Sequence, residues 1–216
     1  APGSKLIFDA SPIGYKYNPG HAHADTLSFE LSIGSQRVFV NSGISEYNFS
    51  QRRHLERKTC SHNTVEIDNK DSSEVWGAFR VARRAKIVSR SIHQDDTNIE
   101  ISAMHDGYKK FIGGCSVKRD IKYSNRHLKI NDSIEGNYKK AITRIHIHPD
   151  IKISKKNNVL ILESSNFSMS CNLNNKSYSL SEGKYSPEFG IVLSNKVLEI
   201  EILSGHEEIH FDWILK

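Results

Sequence analysis

The feature that most constrains this chain is a run of short segments in which apolar and polar residues alternate, with turn residues roughly every 8 to 12 positions. In the first such segment, Leu27, Phe29, Leu31 and Ile33 would share one face of a strand. Twelve or more strands of this kind predict an all-β fold, a large two-sheet antiparallel β-sandwich. The remaining segments are 37–40, 62–67, 85–92, 98–104, 116–124, 127–134, 141–148, 159–164, 167–173, 191–194, 196–203 and 208–215.

Helical periodicity is almost absent, and a short helix is predicted only near residues 50–58. No repeat or linker interrupts the pattern, which indicates a single domain over residues 1–216. Glycines, histidines and aromatic residues are dense before about residue 90. We therefore expect the first third of the chain to carry the function. A mean hydropathy of −0.52 and the lack of any long apolar run exclude a membrane span.

Charge is concentrated in one part of the sequence. The chain has 30 Lys and Arg against 25 Asp and Glu, and nine of these basic residues against five acidic ones lie between Arg52 and Lys86. A local basic surface favours an acidic polysaccharide, nucleic acid or phosphate as partner, although a solvated charged face would look the same. Three scattered cysteines give neither a disulfide framework nor a metal-binding CxxC motif. Phosphate-binding and serine-hydrolase motifs are also missing from the sequence.

The segment GHAHAD, residues 20–25, carries His21, His23 and Asp25 with the spacing of one strand face. If the strand begins this early, these side chains point inward and must be paired or bound to a metal, because burying unpaired polar groups is costly. Alternatively, Pro19 and Gly20 keep the segment in a loop, and the histidines are solvated.

A zinc site needs three or four nitrogen, oxygen or sulfur ligands, usually from separate strands. His62, Asn41, and the pair His146 and His148 are the further candidates. His62 has the opposite parity to the apolar residues of its predicted strand, so it would face away from their side unless a bulge intervenes.

A basic and aromatic segment follows at residues 73–86 and includes Trp76, Phe79 and Arg80. Aromatic rings that stack on sugars, with arginines that pair carboxylates or sulfates, would suit an acidic glycan, and stacked bases with phosphates would suit it too. Equally, the aromatic residues could be core and the arginines solvated.

Taken in order, the segments 8–43, 52–68 and 72–85 resemble the C-terminal β domain of heparinase II/III-like proteins, a family of polysaccharide lyases and their relatives in bacterial polysaccharide loci. The motifs that carry the resemblance are GHAHADTLSFEL, SHNTV and SEVWGAFRV. It is dense over residues 8–86 and only a strand pattern beyond them.

The resemblance implies a two-part enzyme in which an (α/α) toroid precedes the β domain and the substrate cleft lies between them. Its reaction is β-elimination on uronic-acid-containing glycans, with the main acid and base groups in the toroid. His21 matches the cleft histidine of the family. His23, Asn41 and His62 match the ligands of a bracing metal, usually zinc. Asn41 departs from the pattern, since aspartate is common there, and an amide is the weaker zinc ligand.

The same resemblance places Arg53 and Arg57 near the cleft, where they could neutralise substrate carboxylates, although ion pairs with Glu56 are the alternative. Trp76 and Arg80 are the other expected substrate-binding residues, and Tyr47 is a weaker candidate. The expected partners are an acidic polysaccharide and the toroid, in a bacterial periplasm or cell envelope, with no membrane and no nucleic acid. The chain alone should have little lyase activity. A non-catalytic glycan-binding or structural module, braced by its histidines, remains the alternative.

Overall fold

The computed structural model describes residues 3–110, 113–124 and 126–216. One short helix and many strands make up the regular structure of this part of the chain. In chain order these are β1 (Ser4–Phe8), β2 (Phe29–Ile33), β3 (Gln36–Phe39), α1 (Gln51–Glu56), a 3₁₀ turn (Thr59–Ser61), β4 (Val65–Ile67), β5 (Val75–Trp76), β6 (Arg80–Val81), β7 (Ile87–Gln94), β8 (Asn98–Tyr108), β9 (Cys115–Ser124), β10 (His127–Glu135), β11 (Ala141–Ile147), β12 (Lys152–Lys156), β13 (Val159–Glu163), β14 (Phe167–Asn172), β15 (Tyr178–Tyr185), β16 (Leu193–Glu201) and β17 (His206–Leu215).

The strands form two large antiparallel sheets, as the alternation predicted. The first sheet has the order β1-β2-β3-β11-β16-β15, with β4 also paired to β11. The second has the order β12-β13-β14-β17-β10-β9-β8-β7, and β5 and β6 form a separate hairpin. The all-β sandwich prediction is therefore confirmed.

Inward-facing residues of both sheets meet in one apolar core. In β10, for example, every second residue is buried, as expected for a strand with one face on a core. Phe39 of the first sheet and Phe211 of the second lie with ring centroids 4.7 Å apart. Phe29 packs edge-on against Phe39 at 5.9 Å. These contacts place the start of β2, and with it the end of the histidine loop, directly on the core.

Sequence and structure differ at several elements. Strands β1, β5, β6, β12 and β15 were not predicted, and the predicted segments 191–194 and 196–203 contribute to one strand, β16. The predicted helix at 50–58 is present as α1, although it is shorter. Leu27 does not belong to β2, because it adopts a left-handed φ of 63° in the turn before that strand. The strand face predicted from Leu27 therefore begins at Phe29.

A fully buried ion pair ties the second sheet to the loops of the first. Arg119 Nε lies 2.6 Å from Asp132 Oδ1, and Arg119 Nη2 lies 2.8 Å from Asp132 Oδ2. Both side chains are 0% exposed. The third guanidinium nitrogen, Nη1, donates to the carbonyls of Leu27 at 2.9 Å and Asn63 at 2.5 Å. Leu27 ends the histidine loop and Asn63 belongs to the SHNTV segment. Because both carbonyls bind the same guanidinium, the ion pair holds these two segments next to each other.

Candidate functional site

The two histidines of GHAHAD lie on opposite sides of a loop that precedes β2. His21 is exposed, whereas His23 is 9% exposed. The expectation that both share one face is wrong, because residues 20–28 form turns and irregular backbone instead of an extended strand. The alternative of two solvated histidines fails as well. The loop is held by the Ala24 amide, which donates to the Arg57 carbonyl at 2.9 Å.

His21 lies among aromatic rings from two other segments. Its ring centroid is 5.3 Å from that of Tyr47 and 5.5 Å from that of Phe79, both edge-on. Tyr47 in turn lies 5.6 Å from Phe79 and 5.3 Å from Phe189. The His21 imidazole is therefore exposed to solvent at the edge of this cluster of rings. A molecule bound here would contact the imidazole and the aromatic rings together.

These rings belong to a larger exposed apolar patch that we call the aromatic surface, defined as Tyr47, Phe49, Trp76, Phe79 and Phe189. The five residues are 42%, 87%, 52%, 43% and 62% exposed. Exposed apolar patches of this kind usually mark a binding surface. The sequence analysis missed Phe49 and Phe189. Phe189 stands in the turn-rich segment SPEFG, where an aromatic side chain has no strand face on which to bury, and that was an available signal.

His23 and His62 form a buried imidazole pair beneath this surface. Their ring centroids are 5.2 Å apart, and His62 is 3% exposed. Burial lowers the pKa of His23 to about 3, with the positive charges of Arg53 and Arg57 adding to the effect. Burial also lowers the pKa of His62 well below its usual value. Both imidazoles are therefore neutral at physiological pH.

His62 is not part of a strand, so the alternation that would have turned its side chain away from the apolar face does not apply to it. It follows the 3₁₀ turn Thr59–Ser61 as the C-cap residue, and β4 begins only at Val65. The turn rotates the imidazole toward His23 and Asn41. His62 Nδ1 lies 3.2 Å from Asn41 Oδ1. Since an amide oxygen only accepts, this hydrogen bond requires the proton on Nδ1. The other nitrogen, Nε2, is buried and has no hydrogen-bond partner among the described residues.

Asn41 uses both ends of its amide. Its Nδ2 donates to Glu30 Oε1 at 3.1 Å, and its Oδ1 accepts from the Asn63 backbone amide at 3.2 Å. Glu30 also pairs with Arg37 through an Nη2–Oε2 distance of 2.5 Å. The amide thus connects a surface ion pair to the buried histidines.

The zinc ion that the resemblance implies can be tested against these donors. Two imidazoles on one tetrahedral zinc would have ring centres about 5 Å apart, and the His23–His62 separation meets that condition. The other donors do not fit. Asn41 Oδ1 is neutral and already accepts, and His23 Nε2 faces the Arg53 Nη1 donor at 3.3 Å. Within residues 3–110, 113–124 and 126–216, no three His, Cys, Asp or Glu side chains are grouped to hold a metal. The donor set as arranged does not fit zinc.

Arg53 and Arg57 come from helix α1 and its C-cap, four residues apart and hence on one side. Both side chains are 0% exposed. Arg57 donates to the backbone carbonyls of Ala22, Trp76 and Arg80 at 3.0–3.2 Å. Burial lowers its pKa to about 10. Neither guanidinium is accessible to a glycan in solution, so their positions do not support the predicted contact with substrate. The structure instead shows Arg57 joining the histidine loop to the β5–β6 hairpin.

Trp76 and Arg80 lie on that hairpin and are both exposed. The Arg80 guanidinium carbon lies 5.5 Å from the centre of the Trp76 ring, a cation–π arrangement. A planar cation stacked on an indole can meet the carboxylate of a sugar whose ring packs beside it. The structure thus places the two expected contact residues side by side at the solvent boundary.

Three other polar residues from the motifs have partners of their own. Burial raises the pKa of Asp25 to about 7, and the charge of Asp9 adds to this shift. His146 is buried with Nε2 lying 3.1 Å from the Cys60 carbonyl. His148 packs edge-on against Tyr185 at 5.1 Å. Among the residues that the structure describes, these three form no metal-binding group with His23.

The fold is a two-sheet antiparallel β-sandwich, and sequence comparison specifies the family. Residues 2–213 match the family described as Heparinase II/III-like, C-terminal. The chain belongs to this family, whose members are related to polysaccharide lyases. A search of curated proteins finds no match.

Solved structures share the fold. The heparan sulfate lyase HepC from Pedobacter heparinus superposes with a TM-score of 0.76 at 18% identity, covering 98% of this chain and 33% of that one. The heparinase III BT4657 gene product gives a TM-score of 0.73 at 16% identity, covering 98% of this chain and 32% of that one. The chain therefore spans about a third of the length of these structures. Among the described residues, no helix is long and apolar enough to cross a membrane.

Proposed function

We propose that this chain is the β domain of a polysaccharide lyase that cleaves acidic, uronic-acid-containing glycans by β-elimination. The observation that carries the proposal is the exposed imidazole of His21 set against Tyr47 and Phe79. The family membership and the short share of the solved lyases that this chain covers support a partner toroid, which would supply the main base.

In this reaction a base removes the proton from C5 of the uronate, and its electron pair forms the C4–C5 double bond. The C4–O bond breaks, and the leaving oxygen keeps the pair and takes up a proton. Stabilising the charge that develops on the carboxylate lowers the barrier. An imidazole can donate a hydrogen bond or pass a proton near neutral pH, so His21 would contact the uronate or the leaving oxygen.

The aromatic surface supplies the binding part of the proposal. Sugar rings present C–H faces that pack on aromatic side chains, while Arg80 above Trp76 offers a cation for a carboxylate. Among the basic residues between Arg52 and Lys86, Lys70, Arg80 and Lys86 are exposed, and exposed cations favour an acidic ligand. A bacterial periplasm or cell envelope, where such glycans are degraded, is the compartment we propose.

The test follows the ultraviolet absorbance of the unsaturated uronate product with a panel of uronic-acid polymers. The chain alone should bind an acidic polymer, in isothermal titration calorimetry at low salt, but release little or no product. The longer protein that joins it to a toroid should release product. Fast turnover by the chain alone would contradict the division of roles, and absence of product from the longer protein would contradict the lyase assignment.

A second candidate is a non-catalytic glycan-binding or structural module. It is favoured by the burial of Arg53 and Arg57, whose donors go mostly to backbone carbonyls and to His23. Binding of acidic glycan without product from the longer protein would select this candidate. Nucleic-acid binding would instead require a steep salt dependence of DNA affinity.

A further inference from the structure

We propose that the buried guanidinium of Arg53 braces His23 in place of a metal ion, so that this wall of the site is held by hydrogen bonds and needs no zinc. The inference concerns how the site is held together, and it stands whether or not the proposed reaction is correct. Three independent features of the described residues lead to it.

The first feature is the orientation of the Asn41 amide, which its neighbours determine. Glu30 is a carboxylate and can only accept, so it must face Nδ2, and the Asn63 backbone N–H can only donate, so it must face Oδ1. An aspartate at this position would set a second carboxylate against Glu30, and the two negative charges would repel. Glu30 at this place is therefore compatible with the amide and unfavourable to the anionic ligand that zinc prefers.

The second feature is the guanidinium itself. Arg53 Nη1 lies 3.3 Å from His23 Nε2, and Arg53 Nε donates to the Ala78 carbonyl at 3.2 Å. The guanidinium carbon also lies 5.3 Å from the Tyr47 ring centre and 5.7 Å from that of Phe79. The donor occupies the lone pair with which His23 would bind a metal. It also connects that imidazole to the two rings that flank His21.

The third feature is the local charge. Arg53 and Arg57 are both fully buried and both act on the His23 imidazole. No anionic side chain touches either imidazole among the contacts resolved for His23 and His62. A divalent cation placed here would add two positive charges beside two guanidinium groups with only neutral ligands to compensate them. Arg53 supplies one delocalised charge that meets the Ala78 carbonyl and two aromatic rings and feels the negative charge of Glu56, and it is therefore the better occupant.

The first experiment measures metal dependence in the wild-type chain. The protein is exchanged against excess zinc and then against zinc-free buffer, its zinc content is determined by elemental analysis, and its melting temperature is recorded with EDTA, with zinc and with neither. We expect zinc far below one atom per chain and the same melting temperature in all three conditions. One retained zinc per chain, with a melting temperature that falls in EDTA, would overturn the proposal.

The second experiment tests the role of Arg53 directly, with Arg53→Met, the conservative Arg53→Lys and the control Arg90→Met. Arg90 lies on an exposed strand and makes one long bond to a carbonyl. We expect Arg53→Met to lower the melting temperature in metal-free buffer, Arg53→Lys to recover part of the loss, and Arg90→Met to change little. Equal melting temperatures for Arg53→Met and the control would refute the brace. If Arg53→Met does not fold, the zinc and chelator measurements on the wild type decide.

Discussion

Replacing Asp132 with asparagine should destabilise the chain strongly, because it leaves the buried guanidinium of Arg119 without its counter-charge. The carboxylate accepts from Arg119 at 2.6 and 2.8 Å and from Thr143 Oγ1 at 2.6 Å, and both charged side chains are 0% exposed. Asparagine keeps the shape, but its NH₂ group would face donors. Breaking a buried pair from one side costs about 3–5 kcal/mol.

Glu100→Gln is the matched control, since it removes a carboxylate from an ion pair of similar length in the same sheet. Lys122 Nζ lies 2.7 Å from Glu100 Oε1, but the two side chains are 47% and 51% exposed. Water already solvates this pair, so its loss should cost less than about 1 kcal/mol.

The assay is urea denaturation of both variants and the wild type, followed by circular dichroism at neutral pH. We expect the midpoint for Asp132→Asn to fall strongly with an unchanged slope, and the midpoint for Glu100→Gln to stay near wild type. Costs for the two variants within about 0.5 kcal/mol of each other would refute the reasoning that burial decides the value of the pair.

Three further predictions concern a buried histidine, a glycine in a β-bridge, and one buried and one exposed arginine. Burial lowers the pKa of His105 from 6.5 to about 4, so as the pH falls the unfolded chain takes up a proton at this residue before the folded chain does. Between pH 6.5 and 4 the free energy of unfolding of the wild type should therefore fall by up to about 1.4 kcal/mol per pH unit relative to that of His105→Asn. Parallel curves of unfolding free energy against pH for the two proteins would contradict this. A Cβ at Gly43 would lie 2.1 Å from the carbonyl oxygen of Ser186, whereas Gly190 has open space around it at a similar positive φ. In thermal unfolding, Gly43→Ala should therefore lose several times the roughly 1 kcal/mol of stability that Gly190→Ala loses. Arg57→Met should lower the free energy of unfolding by about 2–4 kcal/mol, because it leaves buried carbonyls without a donor. Arg80 is exposed, so Arg80→Met should leave stability unchanged and weaken binding of an acidic glycan in calorimetry. The reverse pattern would restore the predicted substrate role of Arg57.

The fold was largely predictable because alternation with period two is a direct consequence of strand geometry. Strands such as β10 and β17 show it clearly in sequence. Two of the missed strands, β12 and β15, lack a regular apolar face. Strand β12, KISKK, is mostly exposed, and β15 has polar residues on both faces and one glycine. Such strands form because a neighbour offers unpaired backbone groups, and a single sequence does not display that neighbour.

The sequence pointed to some residues of the candidate site, but it missed Phe49 and Phe189 and did not indicate the geometry. Parity placed His21 and His23 on one face, yet residues 20–28 are turns and irregular backbone, and His21 is exposed whereas His23 is buried. The burial of Arg53 could not be anticipated, because its carbonyl and ring partners come from distant segments. Arg119 and Asp132 could have been found, since each stands on the apolar parity of its strand, and adjacent antiparallel strands bring such positions together.

We propose that His21 acts on the substrate while the residues behind it hold the loop. This proposal is tested most directly by His21→Ala in the longer protein that joins this chain to a toroid, with His93→Ala, on an exposed strand, as control. The account predicts that kcat/KM for an acidic glycan falls by about 10²–10⁴-fold for His21→Ala, the usual contribution of a positioned acid–base group, with the melting temperature unchanged. Full activity in His21→Ala, or a loss that follows a lowered melting temperature, would contradict it.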